Sequence, residues 1–163
     1  MKMLQIYPEK CVGCKLCELA CSFSHFEEFN PSISFITNAN FQDEPFFFVS
    51  IACFQCEEPY CMEICPAKAL KRNEETKAII INKDRCVGCK MCTLACPFGN
   101  ITFLERDGVS AKCDLCDGDP KCVKICPTEA IQYCEISTGD FPKKKMFSEI
   151  VKEAYRGKTS DQL

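Results

Sequence analysis

The stretch CVGCKMCTLACPFG, residues 86–99, decides how this chain is read. Its cysteines are spaced C-x2-C-x2-C-x3-C and run into a proline, the spacing that wraps a cubic iron–sulfur cluster. Residues 11–25, CVGCKLCELACSFSH, repeat the pattern with Ser22 where the proline would stand. Two more quartets keep the outer gaps and widen the middle one: CFQCEEPYCMEICP at 53–66, and KCDLC at 112–116 followed by CVKICP at 122–127. Sixteen of the 17 cysteines fall into these four runs.

The spacing has a physical reason. Each iron of a cube needs one thiolate. Three cysteines two apart can curl around one cube, with the loop's sulfurs turned inward and its amides aimed at the sulfides; those hydrogen bonds help set the potential. Gly13 and Gly88 lie inside such loops, where positive φ and close backbone approach favour glycine. The fourth cysteine of a run usually cannot reach the same cube, and in two-cluster ferredoxins it ligates the other one. Proline after it fixes φ, removes an amide hydrogen and redirects the chain. The first quartet, with Ser22, is expected to leave its site differently.

Cysteine this dense suits disulfides, zinc or iron–sulfur sites. Disulfides need an oxidising compartment. Residues 1–10, MKMLQIYPEK, show no apolar run, no small-residue cleavage site and no twin arginine. No stretch is apolar enough to cross a bilayer. A soluble, cytoplasmic protein without membrane insertion is therefore expected. The formal charge of −3 becomes more negative once clusters are bound, which opposes nucleic-acid binding. With one histidine, His25, the chain largely excludes Cys2His2 zinc and imidazole-ligated haem. It has no GxGxxG, no GxxxxGKS/T and no GxSxG motif, so no catalytic residue is assigned.

Along the chain a unit repeats: a cysteine run, proline, a small helical turn, then a strand. Cys65-Pro66-Ala67-Lys68-Ala69-Leu70 matches Cys126-Pro127-Thr128-Glu129-Ala130-Ile131, and Cys96-Pro97 opens a third copy closed by Ile101. Strands are expected at 78–82, 109–112 and 131–134. None could form a core alone, so bound clusters must replace much of the apolar interior. The expected fold class is α+β: two double-cluster, ferredoxin-like halves of short antiparallel strands and short helices. Residues 1–134 form that domain, with an aromatic-rich insertion at 22–52, and 135–163 form a helical tail with Phe147, Ile150, Val151, Ala154 and Tyr155 at helical spacing. The insertion holds eight of the 13 phenylalanines. They either shield the clusters and build local core or form a docking face. Cys134 reads as a buried apolar thiol, His25 as a structural histidine among aromatics, and Lys143, Lys144 and Lys145 as a solvated turn.

The four motifs together resemble the four-cluster ferredoxin-like subunits of molybdenum- and tungsten-pterin oxidoreductases, among them dimethyl sulfoxide reductase and formate dehydrogenase. They are similar also to the iron–sulfur proteins linked to carbon monoxide dehydrogenase. In that family the first quartet pairs with the fourth and the second with the third. The resemblance implies four 4Fe–4S sites. One is held by Cys11, Cys14, Cys17 and Cys126, a second by Cys113, Cys116, Cys122 and Cys21. A third is held by Cys53, Cys56, Cys61 and Cys96, a fourth by Cys86, Cys89, Cys92 and Cys65. The chain lacks the long gap common inside the family's fourth quartet. It looks more like the small subunit of tungsten aldehyde oxidoreductase or of tungsten class II benzoyl-CoA reductase.

The expectation is a non-catalytic electron-transfer subunit. It would relay single electrons between a large tungsten- or molybdenum-pterin catalytic subunit and a soluble donor or acceptor such as a ferredoxin. Three alternatives stay open: a free-standing polyferredoxin, a zinc-stapled module binding protein or RNA, and zinc in place of one cluster at the Cys113, Cys116, Cys122 and Cys21 site, whose middle gap also suits tetrahedral zinc.

Overall fold

Each cysteine loop is followed by a short helix because the second and third cysteines of a run must present their sulfurs to one side. In this computed structural model, which describes residues 2–41 and 47–135, helix α1 (Leu16–Phe26) follows the first loop, α2 (Tyr60–Glu63) the second, α3 (Met91–Ala95) the third and α4 (Lys121–Ile125) the fourth. The strands are β1 (Lys2–Ile6), β2 (Thr37–Phe41), β3 (Phe47–Ile51), β4 (Leu70–Arg72), β5 (Ile79–Ile81), β6 (Thr102–Leu104), β7 (Val109–Ala111) and β8 (Ile131–Glu135). They form four two-stranded sheets, β1 with β8, β2 with β3, β4 with β5 and β6 with β7. The last three pairs are antiparallel, with Ala39 opposite Val49, Lys71 opposite Ile80 and Phe103 opposite Ser110. The fold is α+β, a duplicated ferredoxin-like arrangement.

Two apolar clusters mark the duplication. One gathers Cys17, Cys21, Ile36, Ala52, Cys122 and Ile131, with Leu4, Ile6 and Phe35 against it. The other gathers Leu70, Ile79, Cys92 and Ile101, with Met62, Cys61, Cys65 and Cys96 against it. α1 packs on α4 in the first, α2 on α3 in the second. The first half is thus made from both ends of the described chain and the second from its middle. A two-stranded sheet is marginal alone, and cysteine fills much of the interior that apolar side chains would otherwise supply.

The strands expected at 78–82, 109–112 and 131–134 are β5, β7 and β8 with slightly different ends. The segment after each Cys-Pro is a tight turn rather than a helical one. The third residue after the cysteine takes positive φ in all three copies, Lys68 at 47°, Gly99 at 65° and Glu129 at 54°. The turn closes by backbone bonds from Lys68 N to Cys65 O (3.1 Å), Gly99 N to Cys96 O (3.3 Å) and Glu129 N to Cys126 O (3.4 Å).

The insertion at 22–52 is a helix end plus the β2–β3 hairpin. Of its phenylalanines, Phe23, Phe29, Phe41 and Phe47 are exposed, and Phe26, Phe35 and Phe48 are half-buried. None of these seven is fully buried; Phe46 lies outside the described residues. Phe48 does shield a cysteine loop, since a Cβ on Gly13 would overlap its ring. Cys134 is half-buried rather than buried, and its Sγ donates to Gln5 Oε1 at 3.3 Å. Residues Lys2–Cys134 make one unit. The helical tail and the lysines at 143–145 lie outside the described residues, apart from Glu135 at the end of β8. No helix among the described residues is long and apolar enough to cross a membrane.

Candidate metal centres

All four cysteine loops share a backbone requirement. The residue just before the second cysteine has positive φ in each: Gly13 (66°), Gln55 (47°), Gly88 (68°) and Leu115 (63°). That left-handed residue turns the loop back on itself. Two loops use glycine for it. The other two hold Gln55 and Leu115 there at a cost of about 1–2 kcal/mol each, and both side chains are wholly buried. Packing compels the conformation that glycine would adopt freely.

The first site is a small cavity lined by Cys11, Cys14, Cys17 and Cys126, with Asn38, Ser50 and Thr128 in its wall. Three of the thiols come from the first loop and α1, the fourth from the end of α4. Asn38, buried on β2, donates from Nδ2 to Cys11 Sγ at 3.2 Å and to Ser50 Oγ at 3.0 Å. Ser50 Oγ lies 3.8 Å from Cys17 Sγ, and Thr128 Oγ1 lies 3.8 Å from Cys126 Sγ. The β2–β3 hairpin of the insertion thus lays polar donors over the first site.

The other groupings show in how the thiols press on one another. Charge on Cys113, Cys21 and Cys116 opposes ionisation of Cys122, as charge on Cys53, Cys96 and Cys56 does for Cys61 and charge on Cys86 and Cys65 does for Cys92. Cys89 stands exposed in the third loop. Neighbouring groups also act on one another: charge on Cys17 opposes ionisation of Cys122 and charge on Cys53 that of Cys113, and Cys61, Cys65 and Cys96 pack against the apolar cluster that holds Cys92. The helix explains one step. Cys17 and Cys21 are four residues apart on the buried face of α1, one turn from each other, so one helix serves two adjacent groups.

Burial is the main force on these thiols. It pushes Cys17 and Cys61 up to about 11 and Cys113 up to about 12, and Cys122 higher still. Burial also raises Cys21, Cys92 and Cys116. Cys126 runs the other way. Burial acts upward on it, but the Thr128 hydroxyl and the amides of Ile131, Thr128 and Ala130 outweigh that and lower it. Amides also reach Cys21 Sγ from Phe35 (3.4 Å), Cys65 Sγ from Ala69 (3.3 Å) and Cys96 Sγ from Asn100 (3.3 Å). Crowded, buried thiols that resist ionisation, ringed by donors suited to anionic sulfur, fit a cationic metal core, which deprotonates coordinating thiols outright.

A match to the model of the 4Fe–4S dicluster domain spans residues 45–136, more than half of the chain, and a 4Fe–4S binding domain matches residues 4–23. The chain belongs to the 4Fe–4S dicluster family. Like other members it binds 4Fe–4S clusters. It is 38% identical over 136 residues to the polyferredoxin-like subunit of aliphatic sulfonate oxidoreductase from Pyrococcus furiosus, covering 83% of this chain and 78% of that one. It is 32% identical over 143 residues to the B component of anaerobic dimethyl sulfoxide reductase from Escherichia coli, covering 76% of this chain and 68% of that protein. A solved structure of the BamBC active-site complex of benzoyl-CoA reductase aligns over 96% of this chain and 91% of that one, at 23% identity and a TM-score of 0.49.

Several site residues were not legible as such beforehand. Asn38 and Ser50 sit in an insertion without cysteines, so no motif marked them. Gln55 and Lys112 lie within quoted motifs, but only their side-chain partners reveal a role. His25, read as structural, packs its ring against Phe35 with centroids 4.8 Å apart and planes tilted by 57°, and also places Nε2 3.8 Å from Cys116 Sγ and 3.6 Å from Asp114 Oδ1.

Proposed function

We propose that this chain is the electron-transfer subunit of an oxidoreductase, carrying single electrons through four 4Fe–4S sites to or from a tungsten- or molybdenum-pterin catalytic subunit. The cavity that gathers Cys11, Cys14 and Cys17 with Cys126, far along the chain, carries the reading. The ligand sets are Cys11, Cys14, Cys17 and Cys126; Cys113, Cys116, Cys122 and Cys21; Cys53, Cys56, Cys61 and Cys96; and Cys86, Cys89, Cys92 and Cys65. The influence of Cys17 on Cys122 and of Cys53 on Cys113, with the apolar cluster shared by the last two sets, supports a series in that order.

When bound, the clusters supply reversible one-electron chemistry. The chain supplies position, burial and hydrogen bonds. The loops hold each thiol group near the next, α1 spans the first two groups, and Asn38, Ser50, Thr128 and the turn amides stabilise negative charge on sulfur. Substrate chemistry belongs to the partner, as the names of the relatives, each part of an oxidoreductase, support. A benzoyl-CoA reductase or an aldehyde oxidoreductase is the proposed enzyme, with a soluble ferredoxin-type protein at the far end.

Iron is favoured over zinc at the Cys113 site on geometry. Tetrahedral zinc with Zn–S near about 2.3 Å would bring its sulfurs to about 3.8 Å of one another. Among the described residues the only three-donor group within 4.8 Å is His25, Asp114 and Cys116, which contains one sulfur. A cube spreads its four thiolates further apart. Metal analysis of anaerobically purified protein tests this: sixteen irons and no zinc per chain are expected, and an iron-free native sample would overturn the proposal. Co-purification from the native host should bring down a large subunit with tungsten or molybdenum. A stable monomer without one would favour the free polyferredoxin.

A further inference from the structure

We propose that Lys112 is a buried counter-charge set between the two inner cluster sites, where it raises the reduction potential of both; the inference rests on the cluster-binding reading above. Lys112 is 5% exposed. Its Nζ donates to Ile79 O at 2.6 Å, to Cys113 O at 2.7 Å and to Gln55 Oε1 at 3.3 Å. Three acceptors use the three ammonium protons, and all three are neutral. Among the described residues Lys112 makes no ion pair. Asp114 lines the same cavity of about 110 Å³, but its Oδ1 accepts from the Cys116 amide at 2.8 Å and faces His25.

Burying an ammonium without an opposite charge costs several kcal/mol. The ammonium bonds Cys113 O, in the loop of the second ligand set, and Gln55 Oε1, between Cys53 and Cys56 of the third. The missing negative charge is therefore the one that thiolate-bound clusters bring.

Gln55 locks the ammonium there. It sits between Cys53 and Cys56, is wholly buried, accepts from Ile79 N at 2.8 Å, and donates from Nε2 to Cys113 O at 2.9 Å. Lys112 is thus held by Gln55 in the loop of one inner site, by the Cys113 carbonyl of the other and by Ile79 of β5, and it cannot swing to water. Reduction adds negative charge to a site. A fixed positive charge a short distance away in a poorly screened interior favours the reduced form. An electron is held more readily in the middle of the series than it would be without Lys112.

The test uses full-length holoprotein prepared anaerobically, with iron content measured beside a redox titration followed by electron paramagnetic resonance. Lys112→Met removes the charge and keeps the stem. Gln55→Glu adds an opposing charge beside an intact ammonium at unchanged size. In each variant two of the four couples should move to lower potential while the other two hold. The expected size is on the order of tenfold in the reduction equilibrium, about 59 mV for a one-electron couple. Four unmoved couples, or four that move alike, overturn the inference. If Lys112→Met loads no iron, Gln55→Glu decides by the same two outcomes. Sixteen irons in the parent protein with unmoved variants sink this inference alone, whereas an iron-free parent sinks the proposed function and this inference with it.

Discussion

At the scale of single residues, the sites are tuned by side chains that are not ligands. Asn38 is the clearest. It is buried, its amide hydrogen bonds reach Cys11 Sγ and Ser50, and its backbone amide donates to Glu18 Oε1 at 2.6 Å. A hydrogen bond to a charged group is worth about 1.5–3 kcal/mol, and the bond to Cys11 strengthens as sulfur gains negative charge. Asn38→Ala should therefore lower one cluster potential by on the order of tenfold or more in the reduction equilibrium, read by redox titration. An unchanged set of potentials would mean that Asn38 only packs the hairpin. Gly88 is constrained differently. A Cβ there would lie 2.5 Å from the Gly108 carbonyl oxygen, so this position excludes any side chain, whereas the equivalent Gln55 and Leu115 are accommodated in the core.

At the scale of elements, proline decides how long a helix lasts. The residue before a proline is driven out of the α region. Cys96 (ψ 111°) and Cys126 (ψ 110°) are both extended, and α3 and α4 stop after five residues each. Ser22 imposes no such stop, and α1 runs eleven residues to Phe26, ending at a left-handed Glu27 with φ 57°. The irregular exit expected of the first quartet is this extra helical turn. Ser22 is wholly buried, donates to Leu19 O at 3.1 Å and accepts from Asn30 N at 3.1 Å, which ties the helix end to the insertion. Pro127→Ala should let α4 continue and carry the Cys126 sulfur away from the first cavity. The expected outcome is loss of iron from the site that uses Cys126, measured by iron content and resonance intensity; full iron loading would contradict it.

At the scale of the whole molecule, the interior is built around thiols. Four of the ten buried residues in the two apolar clusters are cysteines, and more lie at their borders. The sheets are two-stranded and cannot stand alone. Folding and metal loading should therefore be one process, as in other small metal-dependent domains. Stripping iron anaerobically with a chelator should abolish the cooperative thermal transition and expose the chain to protease. An iron-free form that kept a sharp transition would show that the apolar residues suffice.

What the amino-acid sequence determined by itself is local and chemical. Cysteine spacing announced the cluster chemistry, because ligand geometry demands a fixed count of residues between thiolates. The Cys-Pro pairs marked where the chain turns out of each cysteine run, because proline fixes φ and removes an amide hydrogen. Strands β5, β7 and β8 were legible from β-branched runs, and the repeat of cysteine run, proline, turn and strand implied β4 and β6, but β1 and the β2–β3 hairpin were not legible. Strands of three to five residues leave little periodicity, and their pairing depends on partners elsewhere in the chain. Only the tertiary structure placed Asn38 over Cys11, left Phe23, Phe29, Phe41 and Phe47 at the surface, and set Lys112 against Gln55 and Ile79. Those arrangements depend on residues tens of positions apart, and a buried polar group is defined by what surrounds it in space, which no local spacing encodes.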